Sequence, residues 1–562
     1  MKKSFWLGLL VLLLVIGGIF AWRFLSAGST TGNSAGAAAG GAISDDLPIV
    51  TPQPLTIGGI GGYSLPSVDL GDGPVPLVRI PLDTWGGYAA LFAANGGAAP
   101  NRDSVFYRDH HFAVELVREE NGQAQLDGFA AGRYTAIWAS MDSLPLLYDA
   151  LHNDRRVVPQ VIGLFDWSVG GDGILVRDSI RRPQDLKGKT ILTSYAEGYS
   201  FFMLWYLAQL DISPLDVRVV HIPDAEKAAE AFRDNPGIAA WVTWTPFLTD
   251  AIDPDADGYM PDVRLLINSR DASQLIADVL MARGDLIREK PEIAIGLVDG
   301  LLAGADLIAK GDGRAFVAMA AFYGLAGGAA EARELLIEVH LPTLPEMQMF
   351  FDPENPIGAY KIFLLAQEYY KMIGSLASTV SYEPDRVLYL AGLEAAAASG
   401  RYAGQGNTIQ NSFNRDAALN IHDLENQRTV LAADIQLYFE AQRLDFDVEG
   451  DNESVRQNMR LLARMAEQMN ILGTTLVKLV GHLDTSKVEE FRAQGPQAFI
   501  EASAQAKLIS KRRAEFVKSV LIDHFGIDPD RIITEGRGWD DPVDADDPQS
   551  NRRVEVQFIS FE

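Results

Sequence analysis

From residue 76 to about residue 275, short apolar runs alternate with helix-forming runs, and this rhythm limits the possible folds more than any other feature. PLVRIPL reads as a strand and WGGYAALFAANGG as the helix after it. HFAVELV, QAQLDGFAAG and YTAIWAS continue as strand, helix and strand. VPQVIGLFDWS and DGILVRD follow as strands, and KTILTSYAEGYSFFMLWYLAQL as strand then helix. VRVVHI, DAEKAAEAFRD and GIAAWVTW keep the pattern. Such alternation implies an α/β fold whose mixed or parallel sheets are covered on both faces. Residues 275–400 read as predominantly helical, as in PEIAIGLVDGLLAGADLIAKG. A chain of 562 residues exceeds one core, so two or three domains are expected.

The ends of this unit are marked by composition. Lys2 and Lys3 precede FWLGLLVLLLVIGGIFAW, an uncharged apolar run long enough to span a bilayer. Positive charge before the run keeps the short tail cytoplasmic and sends the rest outward. Residues 1–25 are therefore expected to be a cytoplasmic tip and a single-pass inner-membrane anchor, with the bulk of the chain in the periplasm. A cleaved signal peptide is the rival reading. The Gly/Ala/Ser-rich start of 26–75 predicts a flexible linker, and aperiodic 401–429 a second one.

Net charge is −27, which argues against a nucleic-acid partner, since phosphate backbones require a basic face. The absence of cysteine excludes disulfides, thiolate metal sites and cysteine nucleophiles. No Ser/His/Asp, H-E-x-x-H or phosphate-loop constellation is evident. The chain is therefore expected to be no enzyme, with no catalytic residues and no cofactor. Asp253-Pro254-Asp255-Ala256-Asp257-Gly258 has the alternating carboxylates of a calcium loop. The twelfth position, where such a loop needs a glutamate, is Arg264, so a hydrated surface loop is the expectation and no metal is assigned.

The last unit carries ordered motifs. LVKLVGHLD reads as a strand ending on a carboxylate. ISKRRAEFVKSVL lies on a helix, and FGIDPDRIITEGRGWDDPV and SNRRVEVQF follow. In this order they resemble the OmpA-like peptidoglycan-anchoring domain. The resemblance covers 430–562 and implies a βαβαβ α+β sandwich. It also implies that Asp484 and Arg513 hold the two charges of the diaminopimelate in the peptide stem, with Arg553 as a supporting contact. A carboxylate for the ammonium and a bidentate guanidinium for the carboxylate suit a zwitterion. Leu483 stands where the family has threonine, Ala506 where it has a helix asparagine, and the segment between Asp484 and Arg513 is unusually long.

Within the large unit, 76–400, residues 76–340 resemble the periplasmic solute-binding proteins of the nitrate/sulfonate/taurine type. The segments that carry this are Trp85-Gly86-Gly87-Tyr88, FAAGRYTAIWASMDSL, LFDWSVGGDGILV, LKGKTILTSYAEGYSFFMLWYL and WVTWTPFL. The resemblance implies a two-lobed periplasmic-binding-protein type II fold that closes on a ligand in its cleft. Gly171 lies in a run that bends tightly between strands. Glu197, Tyr199 and Ser200 precede a helix whose free N–H groups could meet an anion. Trp85, Tyr88, Trp167, Tyr199 and Trp244 could wall the pocket. Glu197 would repel an anion, and Asp142 or Asp166 would welcome a cation, so ligand charge stays open. Enzymes of pyrimidine biosynthesis share the fold but add a cysteine motif that is missing here. The reading is a membrane-anchored receptor that captures a small solute for an ABC-type permease and binds peptidoglycan. The alternative is an envelope tether or signalling adaptor that uses the same fold to sense a ligand or contact a partner.

Overall fold

The structure, a computed structural model, describes residues 47–48, 53–194, 200–222, 224–409, 428–435, 437, 439, 443–542 and 551–560. The apolar run 5–22, the Gly/Ala/Ser tract and most of the second linker lie outside the described residues. Among those described, no single helix is long and apolar enough to cross a membrane.

The first lobe is built on strands β1 (Ser67–Asp69), β2 (Pro74–Leu82), β3 (Ala113–Arg118), β4 (Ala136–Ser140) and β5 (Pro159–Ser168). It takes back β11 (Ala277–Arg283) and β12 (Val339–His340) from later in the chain. β1–β2–β3 form one ladder and β12–β5–β11–β4 another. β2 and β3 are parallel, whereas β11 runs antiparallel between β4 and β5. The second lobe has β6 (Asp172–Arg177), β7 (Thr190–Thr193), β8 (Arg218–His221), β9 (Ile238–Trp244) and β10 (Val263–Asn268), in the order β10–β6–β9–β7–β8. Two segments therefore cross between lobes: β5 to β6 through Val169-Gly170-Gly171, and β10 to β11. The strands of both lobes are buried on two sides, which explains their near-continuous apolar character.

Helices cover these sheets. Phe201–Gln209 carries FFMLWYL, and every side chain in that run is buried. Each such side chain stabilises the fold by roughly 1.5–3 kcal/mol. Pro291–Ala309 starts with proline in its first turn and packs on β5 and on the helix Ala89–Asn95.

Two sequence expectations are revised here. The stretch 55–75, read as tether, belongs to the first lobe. Gly61 N–H donates to the Ala130 carbonyl, Ser64 N–H to that of Gly132, and β1 pairs with β2. Within the supposedly helical 275–400, residues 277–283 form a central strand, because ADVLMAR is buried throughout.

The C-terminal unit contains β13 (Arg428–Ile435), β14 (Leu476–His482), β15 (Ile532–Gly538) and β16 (Val554–Ser560), in the order β13–β16–β14–β15. Only β14 and β15 are parallel. Glu453–Ile471 and the 28-residue helix Pro496–Asp523 accompany the sheet. The expected βαβαβ order gains a fourth strand, β15, and β13 begins two residues before the boundary at 430. This unit packs on the second lobe. Arg428 donates to the Leu266 carbonyl at 3.1 Å and pairs with Asp271 at 2.7 Å. Thr474 Oγ1 lies 3.4 Å from the Arg270 carbonyl. Asp271 and Arg270 lie on the β10–β11 crossing, and Leu266 on β10 just before it.

Candidate functional site

The carboxyl edge of the first-lobe sheet faces the crossing segments, which is where open α/β sheets place ligands. Asp83 follows β2, Asp142 lies in the turn after β4, and Asp166 is near the end of β5. Asp278 starts β11 directly opposite Asp166. Here β5 carries an extra residue, since Asp278 pairs with Asp166 but Val279 with Leu164. Such a bulge re-aims the side chains beside it. Asp166 is fully buried and, among the described residues, receives only the Trp85 indole, Nε1 to Oδ1 at 3.3 Å. Gly87 keeps this arrangement open, because a Cβ there would stand 1.6 Å from Asp166 Oδ2.

The neighbours add like charge. Ser168 Oγ donates to Asp172 Oδ2 at 2.6 Å, and Tyr88 Oη to Asp83 Oδ1 at 2.8 Å. Thr245 Oγ1 donates to Glu338 at 3.0 Å. Burial raises the Asp166 carboxyl well above the usual range, and the charges of Asp172 and Asp83 add to that despite the Trp85 hydrogen bond. Burial raises Asp278 as well, with Asp166 the leading charge against its ionisation. Asp83 is pushed up to about 6, again chiefly by burial.

The other residues named from sequence divide. Gly171 lies against Trp85, where a Cβ would be 2.9 Å from the indole. Trp244 ends β9 opposite Asp172, and Ser200 stands at the N-cap of the helix Phe201–Gln209 without a side-chain capping hydrogen bond. Asp142 is met by Tyr370 Oη at 3.4 Å. Tyr88 is fully buried among Phe165 and Trp138, so it supports the site from beneath rather than walling it. Trp167 is also core. It points to the face opposite Asp166 and packs on His340 and Phe350. Glu197 and Tyr199 lie outside the described residues. Asp278, Asp83 and Glu338 were missed by sequence reasoning. Asp278 had one signal, a lone carboxylate inside an apolar run.

At the far end of the chain, Asp484 follows β14. Arg552 Nε donates to its Oδ2 at 2.8 Å, and Ser486 donates from both N–H and Oγ. Burial opposes ionisation, but these hydrogen bonds outweigh it and hold the carboxyl below its usual range. Arg513 is 8% exposed, lies 4.8 Å over the Phe439 ring and donates to the Arg443 carbonyl. Burial lowers its pKa, then Arg552, while Asp484 raises it, so the three charges share one neighbourhood. Arg553, the expected supporting contact, instead turns inward towards the Asp541 carbonyl and Glu555. Arg552 takes its place at Asp484. The extra segment after Asp484 forms the helix Val488–Ala493 and lengthens the next one. Its Phe491, with Phe499, stacks on Trp539.

Comparison with known proteins agrees with this division. Residues 102–313 match the NMT1/THI5 like family model, and residues 438–555 match the OmpA family model. Outer membrane protein A of Bordetella avium is 31% identical over 119 residues, or 20% of this chain. The chain spans about half the length of that curated relative, 52%. Among solved structures, the ligand-binding component of an ABC-type import system from Staphylococcus aureus, with zinc bound, overlaps at TM-score 0.42 and 12% identity, covering 57% of this chain and 98% of that one. The periplasmic aliphatic sulphonate binding protein SsuA from Escherichia coli overlaps at TM-score 0.41 and 15% identity, covering 56% and 92%. The two family models thus fall separately, one on the two-lobed α/β unit and one on the C-terminal unit.

Proposed function

We propose that this chain is an envelope solute receptor held to the cell wall. The cleft between its two α/β lobes captures a small molecule for an ABC-type permease. The C-terminal unit grips the diaminopimelate stem of peptidoglycan, and the N-terminal apolar run anchors the chain in the inner membrane. The observation that carries this reading is the convergence of buried polar groups, Asp166 and Asp278 among them, at the carboxyl edge of the first-lobe sheet, beside two crossing segments about which the lobes can close. At the wall end, Asp484, Arg513 and Arg552 supply both charges that a zwitterionic ligand requires, with Arg552 free to swing from Asp484 to the ligand carboxylate.

Native mass spectrometry of the purified protein should find a small molecule carried through purification. Sedimentation with peptidoglycan should retain the chain. An empty cleft that no solute stabilises, together with a protein partner seated on it, would instead establish the adaptor. One observation favours that second reading: the C-terminal unit grips the β10–β11 crossing, Arg428 at Asp271 and Thr474 at the Arg270 carbonyl, so lobe closure and wall attachment share a segment.

A further inference from the structure

We propose that the C-terminal unit braces the two α/β lobes against each other, with the Lys361–Glu467 ion pair as its release point. This rests on the receptor reading above, in which the lobes close on a solute, and concerns the regulation of that closure.

The brace is one turn of the helix Glu453–Ile471. Arg464, Glu467 and Gln468 stand three and four residues apart, so they share a face. Arg464 pairs with Asp211 at 2.9 Å, and Gln468 Nε2 donates to Gln209 Oε1 at 3.0 Å. Both partners lie at the end of the second-lobe helix Phe201–Gln209. Glu467 instead meets Lys361 Nζ at 2.8 Å. Lys361 belongs to the helix Ala359–Ile373, which packs on the first-lobe segments Met141–Ser143 and Leu144–Leu151. Tyr370 of that helix reaches Asp142, and Tyr382, whose N–H donates to Gln367, reaches Asp149. One helical turn thus holds both lobes.

The two grips are unequal. On the second lobe the unit also has the buried Arg428–Asp271 pair and the Tyr206 hydroxyl, which donates to the Val430 carbonyl. The helix Glu453–Ile471 therefore moves with that lobe. Lys361–Glu467 is the contact that reaches toward the first, and the Lys361 side chain is only 15% exposed, so water screens the pair weakly. An α-helix cannot stretch, and the three residues from Arg464 to Glu467 span about 4.5 Å. A hinge rotation that carries Lys361 away from Asp211 by more than the play of a lysine side chain must open the pair. Closure of the lobes then competes with docking of the C-terminal unit, and by linkage whatever loosens that unit eases closure.

The test reads the lobes directly, with no solute. The chain has no cysteine, so D103C and E226C place one nitroxide at an exposed position on each lobe of the full chain. Double electron–electron resonance should give one narrow distance distribution. K361A and E467A should each widen or shift it by several ångström, and the charge swap K361E/E467K should restore it. R460A, which removes an ion pair to Glu453 within the same helix, should leave it narrow. A distribution already broad with the pair intact, or unchanged in K361A and E467A, overturns the brace and leaves the receptor standing. So does broadening that the charge swap fails to restore or that R460A reproduces, because the helix rather than the pair is then at fault. An empty protein in native mass spectrometry counts against the receptor instead, and the distances still decide whether the brace exists.

Discussion

Asp278 and Asp484 are both carboxylates at the carboxyl ends of sheets, and the fold treats them in opposite ways. Around Asp484 it supplies Arg552, Ser486 and, within electrostatic reach, Arg513. Around Asp278 it supplies Asp166, Asp172, Asp83 and Asp142, all of the same sign. The first site is neutralised before any ligand arrives, so a ligand must exchange with an existing pair. The second has no opposite charge beside it, so burial and its like-charged neighbours raise its pKa and it is neutralised by holding a proton instead.

A third carboxylate calibrates the comparison, and the largest effect is expected there. Asp271 is 1% exposed and paired with Arg428 of the C-terminal unit. R428A strands a buried charge, which should cost about 3–5 kcal/mol in chemical denaturation. A loss under 1 kcal/mol would show that water or a neighbour already solvates Asp271, and would weaken the claim that burial governs these sites.

The cleft should respond next, with the opposite sign. Asp83, Asp166 and Asp278 bind protons more tightly folded than unfolded. Their stabilising contribution is complete below the unfolded value near pH 4 and is lost as pH rises, through about 6 for Asp83 and about 8 for Asp166, with Asp278 shifted in the same direction. Carboxyls held low, such as Asp484 and Glu346, have finished titrating by pH 5. Ligand-free Tm should accordingly fall between pH 5 and 8. D278N should flatten that slope, because the variant has no proton to lose at that position. A Tm that rises across this window would contradict the charge assignment.

At the wall end the readout is affinity. D484A and R513A should each weaken peptidoglycan binding by about 1.5–3 kcal/mol, or roughly 10–150-fold, with K511A as the control for a merely basic surface. R552A sharpens the comparison. If Arg552 only neutralises Asp484, its loss should leave binding unchanged or improved. If it grips the ligand, R552A should match R513A.

Much of this organisation was legible in the sequence because periodicity and motif order are local properties. The alternation after residue 76 marked both lobes, and VGHLD followed by ISKRRA located Asp484 and Arg513. Hidden features depend on partners distant in sequence. β15 reads IITEGRG, with two glycines and two charges, and becomes a strand because β14 pairs with it. β11 is too short and apolar to be told from the start of a helix by periodicity alone. Arg552 and Arg553 are adjacent and chemically identical, so only the strand's alternation decides which meets Asp484. The cleft cluster draws Asp83, Asp166, Asp278 and Glu338 from positions up to 255 residues apart (338 minus 83), and no local pattern links them.

The smallest effect tests the same rule from the outside. Arg464 of the C-terminal unit reaches the second lobe much as Arg428 does. It pairs with Asp211 at 2.9 Å and donates to the Ala208 carbonyl at 3.1 Å. The distances match those of the buried pair, but the Arg464 and Asp211 side chains are 44% and 62% exposed. Water solvates both charges when the contact breaks, and ordering two long side chains offsets the Coulomb gain. R464A should therefore cost only about 0.2–1 kcal/mol, and that cost should shrink as salt is raised from 50 to 500 mM. R428A should keep most of its effect over the same range, because its partner is out of reach of ions. Equal losses for the two variants would mean that the units are held by charge wherever it lies, and the contrast between compensated and uncompensated carboxylates would have to rest on geometry instead.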